Sequence, residues 1–375
     1  PAPLPPELVF PLQQHIGEPA EPLVAVGERV SKGQMLAAAS GYVSVPVHAS
    51  TSGEVVAVEP RPVPHPSGLE ATCVVVAPDG EERWLEHGPV ADYAALDRSA
   101  LRNRVRDAGI VGLGGGGFPT FIKLNPGPGR RVDTAILNGA ECEPYITCDD
   151  RLMRERAEEV LQGAAVIRHA VDAERCIIGV EDNKPEAAEA LRAAAADAGV
   201  EVQVVPSRYP AGGEKQLIKT LTGREVPADG LPLAVGVVMQ NVATAAAVHR
   251  ALARGEPLVS RVVTVTGPGV ARPGNYEVAL GTPVAHLLAH CGVDRDALAR
   301  VVVGGPMMGF ALEDTRAPVI KTTNCLLVET ATSLPPRPEP LPCIRCGACA
   351  EVCPVSLLPQ QLYWHARDKD FDKVQ

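Results

Sequence analysis

The sequence predicts a multidomain α/β protein, and three observations carry that reading. Short apolar strands separated by Gly, Ser and Pro turns fill residues 1–75. From residue 99 to residue 255, helical and strand patterns alternate with short connections, which implies a mostly parallel sheet covered on both faces. Near the end, four cysteines stand at the spacing Cys343-x2-Cys346-x2-Cys349-x3-Cys353, followed directly by Pro354.

Within residues 1–75 the strands fall at Leu23–Val26, Val43–Val47 and Glu54–Val58, framed by two half-motifs, Val26 to Gln34 and His48 to Val55. The pattern resembles the barrel-sandwich hybrid of biotinyl and lipoyl domains. Those domains carry an acceptor lysine between the halves. Here the stretch Ala37 to Pro46 has none, so a packing or docking module is expected rather than a carrier. A Pro-rich stretch from Pro60 to Pro66 follows, and residues 76–98 connect to the next domain.

Residues 99–255 read as an α/β domain. A helix at Leu101–Ala108 leads into a glycine-rich loop, then a strand at Thr134–Leu137 and an amphipathic helix at Arg154–His169. Strand Cys176–Val180 precedes helix Pro185–Ala198, strand Glu201–Val205 precedes helix Glu214–Thr222, and strand Leu233–Val238 precedes a helix from Thr244. Residues 256–330 turn β-rich again, with strands at Arg261–Thr266 and Val301–Val303, a short helix at Pro283–Cys291 and the run Gly304-Gly-Pro-Met-Met-Gly309, which suggests a small β-grasp module. Residues 331–342 form a linker stiffened by prolines, and residues 343–375 open a ferredoxin-type segment.

Composition narrows the function. A net charge of −10 without a basic cluster argues against a nucleic-acid partner. No signal peptide is read at the start. The uncharged stretch from Leu231 to Val248 includes Pro232, Gly236, Gln240, Asn241 and Thr244, and reads as a buried strand turning into a helix rather than a membrane span. The ends look abrupt, as if this were the ordered part of a longer polypeptide. Six cysteines lie outside the run, at positions 73, 142, 148, 176, 291 and 325. Isolated thiols beside a cluster motif indicate a reducing compartment.

The four-cysteine run is the iron–sulfur ligand spacing of bacterial ferredoxins. Thiolates are soft donors suited to such clusters. A zinc knuckle would pair two well-separated CxxC units or add histidines, and neither is present. In two-cluster ferredoxins the fourth cysteine ligates the other cluster. Cys343, Cys346 and Cys349 then hold one cubane, and Cys353 belongs to a second whose remaining ligands lie beyond Gln375.

The loop Gly112-Leu-Gly-Gly-Gly-Gly117-Phe-Pro-Thr120-Phe121-Ile-Lys123 is the second chemical signal. Consecutive glycines let backbone N–H groups approach a phosphate, with Lys123 placed to meet its charge. Gly112, Gly114 and Gly117 match a dinucleotide fingerprint. That fingerprint should follow a strand, whereas this loop follows a helix and contains Pro119. The competing reading is a flexible surface loop. After the next strand, Glu141 and Glu143 sit where open α/β sheets bind ligands, or simply form a solvated acidic turn.

Taken together, four segments resemble the flavin subunit of respiratory complex I, in that family's order. They are Gly117-Phe118-Pro-Thr120-x-x-Lys123, Asn138-x-x-Glu141-x-Glu143-Pro144, Tyr209-x-x-Gly212-x-Glu214 and Asn241-Val-x-Thr244. The resemblance implies FMN held by the glycine loop (including Gly115), Lys123, Asn138 and Asn241. It also implies NADH stacked near Phe118 and Phe121, with Glu143 and Glu214 on its polar groups. Leu113, Ala140 and Gly213 depart from the family, which carries an arginine and two acidic residues there. The ferredoxin-type run departs further and points to a sister family. Nearly the whole chain resembles the RnfC family of the Rnf electron-transport complex.

That resemblance implies a peripheral subunit on the cytoplasmic side of the cell membrane, in a complex linking NADH and ferredoxin or flavodoxin to ion movement. It implies FMN, NADH/NAD and two 4Fe-4S clusters as cofactors, with electrons passing from NADH through FMN and the clusters to a partner subunit, in either direction. No side-chain acid–base catalyst is needed for such hydride transfer. Two alternatives stand beside it: a soluble FMN/iron–sulfur cobalamin reductase, and an electron-transfer or docking subunit without NADH activity.

Overall fold

The computed structural model describes residues 1–127, 129–195, 199–334 and 339–374. It divides into two compact units, Pro1–Leu334 and Pro335–Gln375. Residues 196–198 of the expected helix Pro185–Ala198 and residues 335–338 of the expected linker lie outside the described residues.

The N-terminal part of the first unit is all β. Strands β1 (Leu8–Pro11), β2 (Glu21–Pro22), β3 (Arg29–Val30), β4 (Met35–Ala38), β5 (Val47–His48), β6 (Gly53–Pro62) and β7 (Glu70–Pro78) form two sheets, ordered β1-β7-β6-β3 and β2-β4-β5. Leu8, Phe10, Leu36, Val47 and Val76 fill the space between them. Two strand expectations are corrected here. Leu23–Val26 is not a strand: the pairing ends at Pro22, and Leu23 and Val26 are exposed. Of Val43–Val47 only Val47 pairs, because Pro46 has no N–H to give and the Val43 carbonyl accepts from Glu18 instead. The Pro60–Pro66 stretch does not wholly interrupt the sheet, since β6 runs to Pro62.

The central part alternates α1 (Arg98–Asp107), α2 (Thr120–Lys123), β8 (Thr134–Gly139), α3 (Cys148–Glu155), α4 (Ala157–Val171), β9 (Arg175–Glu181), α5 (Pro185–Ala194), β10 (Glu201–Val205), α6 (Glu214–Thr222), β11 (Val237–Asn241) and α7 (Val242–Ala253). The four strands are parallel, in the order β10-β9-β8-β11. Residues alternate across the sheet: Ala135 and Leu137 join the core under α4 and α7, while Ile136 joins Leu217 and Ile218 on α6. The expected helix Arg154–His169 is two helices. Arg156 leaves helical geometry (φ −133°, ψ 37°) where its guanidinium pairs with Glu277 at 2.6 Å. The expected strand Leu233–Val238 begins only at Val237. Pro232 opens a 3-10 turn and Gly236 takes φ +72° to end it.

The third part is a five-stranded sheet with one covering helix: β12 (Ser260–Thr266), β13 (Gly274–Ala279), α8 (Val284–His290), β14 (Leu298–Val303), β15 (Phe310–Leu312) and β16 (Cys325–Thr330), ordered β13-β12-β16-β14-β15. Leu287 and Leu288 of α8 pack on Val263, Val301 and Val328. The second unit holds α9 (Ala348–Glu351) and α10 (Pro359–Arg367).

Two packing details give measurable consequences. Helices α4 and α7 meet at Gly163, where a Cβ would stand 1.9 Å from the carbonyl oxygen of Ala245. Backbone cannot retreat cheaply, so Gly163→Ala is expected to cost about 1–3 kcal/mol or more, read from denaturant midpoints. Lys321 is fully buried and donates Nζ–H to the carbonyls of Pro46 (2.7 Å) and Gly109 (2.8 Å), joining all three parts of the first unit.

Burial lowers the pKa of Lys321 from 10.5 to about 7. Between those values the unfolded chain binds more protons than the folded one, so stability rises with pH across that window. Lys321→Met is expected to remove up to about 1.4 kcal/mol per pH unit of that rise. Unfolding at a series of pH values measures it.

Candidate functional site

The strand order β10-β9-β8-β11 places a topological switch between β8 and β11, because the chain steps outward from β8 through β9 to β10 and then crosses back to lay β11 on the other side of β8. Open α/β sheets bind ligands in the crevice beyond the carboxyl ends of such strands. The pairing of the two strands ends in register on Asn138 and Asn241. Asn138 donates Nδ2–H to the Gly212 carbonyl (2.7 Å) and accepts from the Ala140 amide (3.1 Å). Asn241 caps α7, its Oδ1 accepting from Ala243 (2.8 Å) and Thr244 (3.3 Å), while Nδ2 donates to Asp149 (2.6 Å).

The glycine loop arches over this switch. It is closed at its base by the Val111–Pro119 bridge and by the Gly112 amide donating to the Phe118 carbonyl (2.8 Å). Three surrounding elements grip it. Thr244 Oγ1 accepts from the Leu113 amide (2.9 Å), Arg261 on β12 donates to the Leu113 carbonyl (3.0 Å), and the Ile16 amide donates to the Gly117 carbonyl (3.2 Å). Gly114, Gly115 and Gly116 stay exposed at the crest. A Cβ on Gly116 would meet nothing within 4 Å, so the crest is an open cradle.

Beneath it lies a cleft of about 580 Å³, within the range of cofactor sites. Its wall includes Glu141 and Asp149. The Glu141 carboxylate accepts from the amides of Asp149 (2.7 Å) and Asp150 (3.0 Å) at the start of α3. Burial, and then the charge of Asp149, push Glu141 up to about 8. Burial also raises Asp149, against the hydrogen bond from Asn241. Glu143 reaches the third sheet's loop, where one carboxylate oxygen accepts from the amides of Met307 (2.6 Å) and Met308 (3.0 Å). Only glycine fits at 305, since a Cβ there would stand 1.8 Å from the Glu143 side chain.

Of the residues singled out from sequence, Gly114, Gly115, Asn138, Glu141, Glu143, Tyr209, Gly212 and Asn241 line the cleft. Gly112, Gly117, Phe118, Thr120 and Thr244 shape the loop from behind. Phe121 turns away and meets Tyr42 edge-on, 6.3 Å between ring centres. Lys123 pairs with Glu214 at 2.5 Å and donates to the Met239 carbonyl at 3.3 Å, so neither side chain faces the cleft. Sequence reasoning misses Asp149, Arg261 and the stretch Thr322-Thr323-Asn324, which completes the wall. The Gly304–Gly309 run stands out in the sequence for its glycines, but nothing there marks its place opposite Glu143.

The cleft suits FMN: a glycine cradle for a phosphate, two strand-end amides for polar ring atoms, and room between them. In the second unit, Cys343, Cys346 and Cys349 are exposed and Cys353 is half-buried, whereas five of the other six cysteines are buried. Cys343 Sγ accepts from the Arg345 amide (3.4 Å) and Cys353 Sγ from the Leu357 amide (3.3 Å). Positive φ at Arg345, Gly347 and Ser356 turns the chain sharply between the cysteines and just after them. Thiolates that receive backbone amides in a curled segment are a donor set that fits an iron–sulfur cluster. Among the described residues, no helix is long and apolar enough to cross a membrane.

Comparison with known proteins agrees with this geometry. Residues 105–250 match the Nuo51 FMN-binding domain, residues 1–81 the RnfC barrel sandwich hybrid domain and residues 262–311 the SLBB domain. The RnfC subunit of the ion-translocating oxidoreductase complex of Pseudomonas aeruginosa is 52% identical over 100% of this chain and 48% of its own length. Its counterparts from Serratia proteamaculans and Vibrio cholerae are each 50% identical over 100% of this chain, and over 53% and 48% of theirs. The chain thus spans about half the length of the relatives it matches. In the crystal structure of H2-reduced NAD+-reducing [NiFe]-hydrogenase, one chain shares the fold over 64% of this chain and 49% of its own, with TM-score 0.53 and 24% identity.

Proposed function

Because the chain belongs to the RnfC family, we propose that it is the peripheral NADH-oxidising subunit of an ion-translocating NAD:ferredoxin or flavodoxin oxidoreductase. It sits on the cytoplasmic side of the membrane and passes electrons from NADH through FMN and 4Fe-4S clusters to a partner subunit. The observation that carries this reading is the glycine cradle over the switch between β8 and β11, matched in sequence to an FMN-binding domain. When bound, FMN accepts a hydride's two electrons and releases them singly, and a 4Fe-4S cluster accepts one at a time.

The chain's own residues bind and orient. Gly114, Gly115 and Gly116 present the crest of the loop to a phosphate. Asn138 and Asn241, fixed by their hydrogen bonds, hold the far end. Tyr209 and Gly212 close the rim, and Glu143 offers its carboxylate to nucleotide hydroxyls. Cys343, Cys346 and Cys349 hold one cluster, and Cys353 donates to a second. One observation favours a different donor: Glu143 is already engaged by Met307 and Met308, as suits an electron-transfer subunit that does not take NADH.

The test uses Gly116→Val in the full-length protein. The new side chain has space on the protein side but enters the cleft, so thermal stability should hold while FMN is lost. Retention of stoichiometric FMN by the variant would overturn the assignment of the cleft. FMN that binds to the wild type but is not bleached by NADH would favour the other donor.

A further inference from the structure

We propose that Glu141 and Asp149 form a proton-sharing pair in the cleft wall, and that the pair takes up one proton from solvent when the flavin is reduced. The inference rests on the flavin reading above. Carboxylate oxygens of the two residues and the Cys148 thiol lie within 4.8 Å of one another. Asp149 is 8% exposed, and both carboxylates line the cleft. Glu141 holds φ +50°, a conformation rare for a side-chain-bearing residue, which turns its carboxylate back onto the first amides of α3. Two carboxylates this close, Asp149 buried and Glu141 half-buried, disfavour each other's ionisation and titrate as a unit.

The cations facing the pair, Arg261 and Lys184, favour its charged form only from a distance. Lys184, before α5, spends its ammonium on Glu181 at 3.0 Å. Arg261, on β12, spends its guanidinium on the carbonyls of Leu113 and Lys321. Among the described residues neither closes an ion pair with the two carboxylates. Cys148 is pushed well above its usual pKa by burial and stays a neutral thiol. Asn241 supplies one neutral donor to Asp149. Burial raises both carboxylates, so the pair binds protons more readily than free carboxylates do.

The balance of the step is simple. Electrons delivered to the cleft raise its negative charge and so raise the affinity of the pair for protons. A carboxylate and a proton from water become a carboxylic acid. Glu141, the less buried of the two, is the entry point. The electrons come from the reduced nucleotide, or in the test from an electrode. Reoxidation returns the proton to solvent.

Electrochemically induced infrared difference spectra of the FMN-loaded, full-length protein read this without turnover. The reduced-minus-oxidised spectrum should gain a protonated-carboxyl C=O band that shifts down in D2O. Glu141→Gln and Asp149→Asn should each lose it, Asp149→Glu should restore it, and Glu189→Gln, at an exposed carboxylate on α5, should keep it. A pH indicator in weakly buffered solution should show less proton uptake on reduction in the two loss variants. FMN that binds and reduces with no such band, or a band that survives in both loss variants, overturns the inference while leaving the flavin reading intact. Failure of FMN to bind removes the flavin reading itself, and this inference with it.

Discussion

Cys346→Ala is expected to strip the cluster that it shares with Cys343 and Cys349 while leaving the flavin chemistry in place. The argument is architectural. The four run cysteines lie in a compact unit of their own, Pro335–Gln375, and are not part of the core that shapes the cleft. Three thiolates bind three of the four irons of a cubane, and the substitution removes one of them. Iron and acid-labile sulfide should fall by the content of one cluster. The broad visible absorbance should fall with them, and electron delivery to a one-electron acceptor should be lost. FMN content and bleaching of the flavin by NADH should match the wild type. Unchanged iron content would show that the run does not carry the cluster.

The second large effect is expected from Arg261→Met. Arg261 is 4% exposed. Its guanidinium donates to the Leu113 carbonyl at 3.0 Å, to the Lys321 carbonyl, and weakly to its own strand at Val262. Methionine matches its length but leaves those carbonyls without donors and removes a buried cation that favours the charged form of Asp149. Leaving a buried acceptor unsatisfied costs about 1–3 kcal/mol for each carbonyl that loses its donor. The glycine loop loses one of its three grips, so FMN affinity should fall as well. Denaturant unfolding and flavin fluorescence titration measure the two effects. Arg261→Lys should recover only part of each, since a single ammonium lacks the planar fork that reaches both carbonyls. Stability equal to the wild type would mean that the loop is held without Arg261.

What can be read from the sequence is what is local. The alternating domain, the cysteine run and the glycine loop are written in short-range patterns, and the strands at Cys176–Val180 and Glu201–Val205 fall within observed elements. What escapes is set by distant partners. The break between α3 and α4 follows from Arg156 reaching Glu277, 121 positions away, and no local signal marks it. Phe121 reads as a stacking residue until Tyr42, from the N-terminal sheets, takes its ring. Lys123 reads as a phosphate ligand until Glu214 claims it. Asp149 and Arg261 carry no motif of their own and become part of the site only when β12 is packed behind the glycine loop. Leu23–Val26 fails for a simpler reason, since after one bond from the Leu23 amide to Leu36 the segment stays exposed, and apolar residues alone do not extend a ladder.

The most direct measurement is an anaerobic titration of the full-length protein with NADH, recording visible spectra. The account predicts that the flavin bands bleach first, followed by the cluster absorbance, and that Cys346→Ala keeps the first phase. A flavin that remains oxidised in excess NADH, yet is bleached by dithionite, would contradict the NADH-to-FMN-to-cluster route.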